Sequence, residues 1–149
     1  MRLWAKQLIP YLPKLQLLSQ WRECCAIAGS IAKKGTPNHI LVNKIMDYPI
    51  DYFYYYTSYV IDEMRKRGYK VSDKSLINFT KNQPYFNLYR CDVLRISNPP
   101  YPDWHNKRYL RECLFNLEEK AMCNGIPKNE WKIIYDKFGK EFDLWKGEN

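Results

Sequence analysis

Two reactive groups lie near the N-terminus of this chain, the α-amino group of Met1 and the carboxylate of Glu23. An α-amino group has a reference pKa of about 7.7–8.0, against about 10.4 for lysine, so a far larger share of it is unprotonated near neutral pH. An unprotonated amine can attack an electrophilic carbon and form an imine. Met1 is therefore a candidate nucleophile, and the alternative is that the N-terminal segment only packs against the rest of the protein.

Glu23 lies in a stretch, Leu15–Lys34, whose apolar residues recur at helical spacing. The apolar face of this predicted helix carries Leu17, Leu18, Trp21, Cys24, Cys25, Ala28, Ile31 and Ala32, and the opposite face carries Gln16, Ser19, Gln20, Arg22, Glu23, Ser30 and Lys33. Ala26 and Ile27 interrupt the polar face, which predicts that another part of the chain covers some of it. We interpret the face with Arg22 and Glu23 as the wall of a site. The alternative is two solvated charges on an amphipathic helix.

The segment Met1–Lys14 precedes this helix and contains Pro10 and Pro13, which remove backbone donors and favour extended geometry. We therefore expect an extended N-terminal arm. Its apolar side chains give it reason to pack against the protein rather than fray, and they are Leu3, Trp4, Leu8 and Ile9. A packed arm would hold the α-amine of Met1 in a fixed place.

The charge of the chain points to a polyanionic partner. The net charge is +8, from 24 Lys and Arg against 16 Asp and Glu. An excess of this size attracts polyanions by long-range attraction and counterion release. Nucleic acid is the leading partner, an acidic membrane surface is the second, and a basic protein without such a partner is the remaining alternative. The 13 Tyr and 5 Trp suit base stacking beside cations, although most of these rings must belong to the core.

Cysteine and histidine usage argues against several kinds of site. The five cysteines show no CxxC or Cys/His spacing, so we expect no zinc or other metal, and their odd number fits reduced thiols in the cytoplasm. Only His39 and His105 are histidines, which leaves no histidine-centred catalytic set. Lys6 and Gln7, with the two prolines, interrupt the apolar run near the N-terminus, so we expect no signal peptide. No apolar stretch reaches the length of a transmembrane helix.

The rest of the chain predicts further helices. A second helix starts at Pro49 and ends at Gly68, where a glycine follows three cations. Asp103 caps a third helix, and Pro127 starts a final one. We therefore expect an all-α fold, a single compact domain over residues 1–149, with three main helices plus a C-terminal helix, an extended N-terminal arm and long loops.

Two stretches are predicted as loops. Lys33-Lys34-Gly35 closes the first helix, and a loop then runs from Thr36 to about Asp47. Val71–Pro102 is the least regular part, with a short helix opening at Ser72 and a short strand or ordered loop over Tyr85–Ile96. A long loop in a compact domain often has a function.

Four short segments, spread in order over the chain, resemble one known family. They are Arg2-Leu3 at the N-terminus, LLSQWRE from Leu17 to Glu23, KRGYKVSD from Lys66 to Asp73 and LEEK from Leu117 to Lys120. These residues and their order are similar to those of the pyrimidine-dimer DNA glycosylases of the phage endonuclease V type. The opening RLWAKQLIPYLP most resembles a bacterial branch of that family.

The resemblance implies a DNA repair glycosylase with abasic-site lyase activity on cyclobutane pyrimidine dimers. It implies that the α-amine, here that of Met1, attacks C1′ of the damaged nucleotide's sugar and forms a covalent imine as the glycosidic bond breaks. β-Elimination then nicks the strand on the 3′ side. Glu23 matches the family glutamate that stabilises the cationic sugar and assists the proton transfers.

The resemblance also implies the partners of the protein. The partner is double-stranded DNA that contains damaged pyrimidines, and no metal or cofactor is needed. The residues expected to contact a kinked duplex with a flipped base are Arg2, Gln16, Arg22 and Lys120. A monomer is typical of such repair enzymes.

Several positions depart from the family pattern. Arg2 is too large for the usual removal of the initiator methionine, so the amine belongs to Met1, whereas the family enzyme exposes a threonine. The family's active-site histidine falls at Gln16, a further helix arginine falls at Ala26, and an arginine of the third helix falls at Asn116. Two alternatives stay open, a helical nucleic-acid-binding protein of the same fold without the chemistry, and a lyase for other damaged bases or abasic sites.

Overall fold

The computed structural model describes residues 1–33 and 39–147, and within them it contains helices and no strand. A 3₁₀ helix at Lys6–Tyr11 is followed by seven α-helices, α1 (Lys14–Ala32), α2 (Ile40–Met46), α3 (Ile50–Lys66), α4 (Asp73–Asn82), α5 (Leu88–Ser97), α6 (Lys107–Met122) and α7 (Lys128–Phe138). The expected all-α class is confirmed. In the described part of the chain no helix combines the length and apolar character needed to cross a membrane.

The region Val71–Pro102 is more regular than the sequence predicts. It contains α4 and α5, so the strand or ordered loop expected over Tyr85–Ile96 is wrong. Each helix starts at a polar cap, because the side chain of Ser72 accepts a hydrogen bond from the backbone N–H of Ser75 and that of Asn87 accepts one from Arg90. Each helix has one buried side chain, Phe79 in α4 and Cys91 in α5.

Helix boundaries differ from expectation at two further places. The side chain of His39 caps α2, within the stretch that was expected to be a loop as far as Asp47. Asn106 rather than Asp103 caps α6, because the preceding turn buries Trp104 and His105. The first helix was expected to close at Lys33-Lys34-Gly35; α1 ends at Ala32 with Lys33 as its C-cap, and Lys34 and Gly35 lie outside the described residues.

Helix α3 is the centre of the structure. It packs against the 3₁₀ helix and against α1, α2 and α5. Ten of its residues are buried, among them Phe53 and the consecutive Tyr54, Tyr55 and Tyr56. Gly68 follows it with φ of +80°, which is the left-handed conformation expected of a glycine that ends a helix. The tyrosine-rich stretch is therefore part of the core, as most of the aromatic residues were expected to be.

The N-terminal arm packs into the core, as predicted. Leu3 and Leu8 are fully buried, and Trp4 and Ile9 nearly so. The arm is extended only as far as Ala5, since the 3₁₀ helix follows. Beyond the end of α3, the guanidinium of Arg67 donates hydrogen bonds to the carbonyl oxygens of Leu12 at 2.7 Å, Pro10 at 3.1 Å and Ile9 at 3.3 Å. The guanidinium therefore supplies hydrogen-bond donors to the carbonyl groups at the C-terminal end of the 3₁₀ helix.

A cluster of rings lies beneath the arm, at the turn before α6. His105 is at its centre and contacts the rings of Tyr56, Tyr101, Trp104 and Tyr109. Its Nδ1 accepts a hydrogen bond from the backbone N–H of Lys6 at 2.9 Å. The imidazole is therefore held neutral, because burial lowers the pKa of His105 from 6.5 to about 3, and the nearby ammonium groups of Lys6 and Lys44 lower it further.

The lowered pKa of His105 predicts acid-sensitive stability. Between about pH 6 and pH 4 the unfolded chain binds a proton at this position and the folded chain does not, so the free energy of unfolding falls as the pH falls, by up to about 1.4 kcal/mol per pH unit. We expect His105→Gln to remove this contribution, which gives a shallower slope in urea unfolding measured at a series of pH values. Parallel slopes for the two proteins would contradict a neutral, buried His105.

Candidate active site

The arm, α1 and α6 enclose an open depression of about 400 Å³. Its lining residues are Met1, Arg2, Trp4, Gln16, Ser19, Glu23, Asn116 and Lys120. The α1 residues lie three and four positions apart and so share one helix face, and the two α6 residues lie four apart. The depression brings together Met1, Arg2, Gln16, Glu23 and Lys120, which are five of the six predicted site residues.

The N-terminal backbone is hydrogen-bonded to the carboxylate of Glu23. The backbone N–H of Arg2 donates to Oε2 of Glu23 at 3.1 Å. The Arg2 nitrogen and the α-amine of Met1 belong to one N–Cα–C–N unit, so the α-amine lies no more than about 7 Å from that oxygen. Among the described residues no carboxylate oxygen lies within 4.0 Å of this amine. Amine and carboxylate therefore face one small volume without forming an ion pair.

The two reactive groups can be reached from solvent. Met1 is 54% exposed, and Glu23 is half-buried. This agrees with the prediction that the helix face around Glu23 is neither core nor open surface. A substrate atom that entered the depression could contact the amine and the carboxylate together.

Side chains from three helices and from the turn before α6 hold the backbone of the arm. The hydroxyl of Tyr56 in α3 donates to the carbonyl oxygen of Trp4 at 2.6 Å. The hydroxyl of Tyr109 in α6 donates to the carbonyl oxygen of Leu3. Gln20 in α1 and His105 before α6 contact further backbone groups of the arm. Polar side chains thus replace the neighbouring strand that an extended segment ordinarily pairs with.

Gln20 corrects the sequence prediction. It was expected on the polar face of the first helix, and it is fully buried because the arm packs over that part of α1. Of the two residues that interrupt the polar face, Ile27 is fully buried, so part of the predicted cover exists, and Ala26 is exposed. Helix α4 packs along α1. A glutamine in a helix is usually exposed, so composition and period give no signal for Gln20.

Cations surround the depression. Lys120 is exposed at its edge. Arg22, the sixth predicted site residue, does not line the depression, but its guanidinium donates to the hydroxyl of Ser19 at 3.2 Å and so lies at the rim. The guanidinium of Arg2 is half-buried and lies 5.1 Å from the ring centroid of Trp4. With one carboxylate among the lining residues, the depression favours an anionic ligand.

The titratable groups behind the depression stay neutral. Burial raises the pKa of the Cys24 and Cys113 thiols. Burial likewise raises the pKa of the Tyr56 hydroxyl, and of the Tyr109 hydroxyl. The thiols are therefore poor nucleophiles at neutral pH. The charged groups available for chemistry are those of the arm, Glu23 and Lys120.

A larger cavity, of about 670 Å³, lies between the 3₁₀ helix, α3 and α5. Four of the six charged residues that line it, Lys6, Asp62, Glu63 and Arg95, form ion pairs or hydrogen bonds. Arg95 forms ion pairs with Asp62 and Asp92, and the ammonium of Lys6 donates to the carbonyl oxygen of Pro100 at 2.6 Å. We therefore place the candidate site at the smaller depression, where the amine and the Glu23 carboxylate form no ion pair with any described residue. The described residues include no cluster of three or more His, Cys, Asp or Glu side chains that could hold a metal ion.

Comparison with known proteins bears on the first half of the chain. A family model described as pyrimidine dimer DNA glycosylase matches residues 1–76, which is just over half of the 149 residues. The matched part spans the arm and α1 to α3, and it contains Met1, Arg2, Gln16, Arg22 and Glu23. No curated protein and no solved structure gives a significant match.

Proposed function

Because the chain belongs to the pyrimidine dimer DNA glycosylase family, we propose that it cleaves the glycosidic bond of a pyrimidine dimer in DNA and then nicks the strand as an abasic-site lyase. The observation that carries this proposal is the hydrogen bond between Arg2 N–H and Glu23, which keeps the α-amine of Met1 and a carboxylate beside one accessible depression.

The proposed reaction passes through a covalent imine between the protein and the sugar. The lone pair of the Met1 amine attacks C1′ of the damaged nucleotide, and the base leaves with the electrons of the glycosidic bond. The sugar ring opens, O4′ takes a proton, and an imine joins C1′ to the amine. Loss of a proton from C2′ then expels the 3′ phosphate, which gives the nick. Hydrolysis of the imine returns the free amine.

Glu23 has two roles in this proposal. Its negative charge stabilises the positive charge that develops at the sugar, where the barrier lies. Its carboxylate also accepts and returns the protons that move at O4′ and C2′. The position of Glu23 supports both roles, since it faces the volume that the amine faces.

DNA binding in this proposal depends on the cations around the depression. Lys120 and Arg22 contact phosphates on either side of the lesion. Arg2 packs on Trp4 and places its charge beside the bound sugar, and Gln16 makes a polar contact to the DNA from the wall. The net charge of +8 supports attraction of the duplex from a distance.

We further propose that residues 1–149 act as a single domain and as a monomer. All five cysteines are free, which supports a reducing compartment such as the cytoplasm.

A second candidate function is a DNA-binding protein without catalysis. It is favoured by Gln16, Ala26 and Asn116, which stand where the resemblance places a histidine and two arginines. Two of these three, Gln16 and Asn116, line the depression itself. Such a protein would bind undamaged duplex in a salt-dependent manner and would not nick it.

The proposed imine predicts a covalent adduct. We expect untagged protein, incubated with UV-irradiated duplex and borohydride, to give a protein–DNA band on a denaturing gel, because the reductant converts the imine to a stable amine. The matched control carries extra residues before Met1, which move the α-amine away from Glu23. We expect no band for the control, and a band of equal intensity would exclude the Met1 amine as the nucleophile.

The role of Glu23 predicts that Glu23→Gln separates binding from cleavage. The amide oxygen still accepts the Arg2 N–H, so the arm should stay in place, and the carboxylate charge and its proton transfer are lost. We expect single-turnover cleavage to fall by about 10²–10⁴-fold. DNA affinity should be retained or slightly higher, because a negative charge has left a site that faces phosphates. A binding protein without catalysis would show no cleavage in either form, and wild-type cleavage in Glu23→Gln would remove Glu23 from the mechanism.

A further inference from the structure

Gln20 makes an unusual set of hydrogen bonds for a helix residue. Its Oε1 accepts the backbone N–H of Trp4 at 2.8 Å, and its Nε2 donates to the carbonyl oxygen of Arg2 at 2.9 Å. The hydroxyl of Tyr56 lies 3.0 Å from the same Oε1, so its single proton is shared between this oxygen and the nearer carbonyl oxygen of Trp4. No part of the Gln20 side chain is exposed.

This pattern imitates a β-strand. The N–H and C=O of one residue in a parallel strand pair with the C=O and N–H that flank a single residue of the neighbouring strand. The amide of Gln20 pairs in that way with the groups that flank Leu3. The orientation of the amide is fixed by its partners, because only its oxygen can accept the Trp4 N–H and only its nitrogen can donate to Arg2.

The two contacts set the register of the arm along α1. Gln20 and Glu23 lie three residues apart on the same helix face. Arg2 is therefore held at both ends of its backbone, with its carbonyl on Gln20 and its N–H on Glu23. A slip of the arm by one residue would move the Met1 amine by about 3.3 Å. A displacement of that size would take the amine out of reach of a carbon placed beside Glu23.

We propose that Gln20 is a positioning residue, which fixes the register of the arm and thereby the distance between the Met1 amine and the Glu23 carboxylate. This inference rests on the proposed function. Gln20 itself does not line the depression and touches no substrate. Its effect passes through the arm, and misplacement of a reacting group by about 1 Å can slow a reaction by about 10²-fold.

The chain offers a matched control in Gln83. This glutamine is also buried, its Oε1 accepts the hydroxyl of Tyr54 at 2.8 Å, and its Nε2 donates to the carbonyl oxygen of Ala28 at 3.1 Å. It thus joins a tyrosine of α3 to a backbone carbonyl, as Gln20 does, and it makes no contact with the arm. Gln83→Met removes a buried amide of the same kind without altering the register.

The experiment compares Gln20→Met, Gln83→Met and wild type on duplex DNA with a preformed abasic site. Single-turnover borohydride trapping, DNA affinity and melting temperature are measured for each protein. We expect both variants to melt earlier and to bind the duplex as wild type does. Only Gln20→Met should trap more slowly, by about 10- to 100-fold. Should Gln20→Met fail to fold, Gln20→Asn keeps the amide one carbon too short to reach both backbone groups, and the same comparison applies.

Hydrogen exchange at the Trp4 amide tests the register without any reaction. We expect this amide to exchange faster in the Gln20 variant than in wild type and in Gln83→Met. Three results would each overturn the positioning role: equal trapping rates for Gln20→Met and wild type, equal slowing in the Gln20 and Gln83 variants, or unchanged exchange at the Trp4 amide. In each case trapping by the wild-type protein would still support the proposed function. An absence of trapping by wild type would overturn the proposed function instead.

Discussion

The hydrogen bond from the Arg2 backbone to Glu23 is the contact around which the site is built, and it is possible only because the rest of the arm is fixed. An extended segment that packs into a core brings unpaired N–H and C=O groups with it, and each group left without a partner costs about 1–3 kcal/mol. The arm has no neighbouring strand. Its backbone groups are paired instead with the side chains of Gln20, Tyr56, Tyr109 and His105.

This requirement explains why the core beneath the arm is polar and aromatic. Tyrosine and histidine fill a core with their rings and still carry a hydrogen-bonding atom at the edge. Tyr56 extends from the central helix α3, Tyr109 extends from α6, and His105 lies in the turn that precedes α6. The three elements therefore converge on one segment, and the position of the N-terminus depends on all of them.

Part of this arrangement was predictable from the sequence. The apolar side chains of the arm indicated that it packs, and the interrupted polar face of the first helix singled out Glu23. Gln20 was not predictable, because its partners lie 16 and 18 residues away and glutamine ordinarily faces solvent. The short helix expected to open at Ser72 is α4, whereas α5 was missed, because Cys91 is its one buried side chain. Periodicity detects a helix by its buried stripe, and it gives little signal when the stripe is short.

Peptide mapping of the borohydride-reduced adduct tests the central claim most directly. After nuclease treatment, mass spectrometry locates the residue that carries the sugar remnant. The account predicts that the added mass lies on the N-terminal peptide and that fragmentation assigns it to the α-nitrogen of Met1. A remnant on a lysine side chain, such as that of Lys120 at the edge of the same depression, would contradict it.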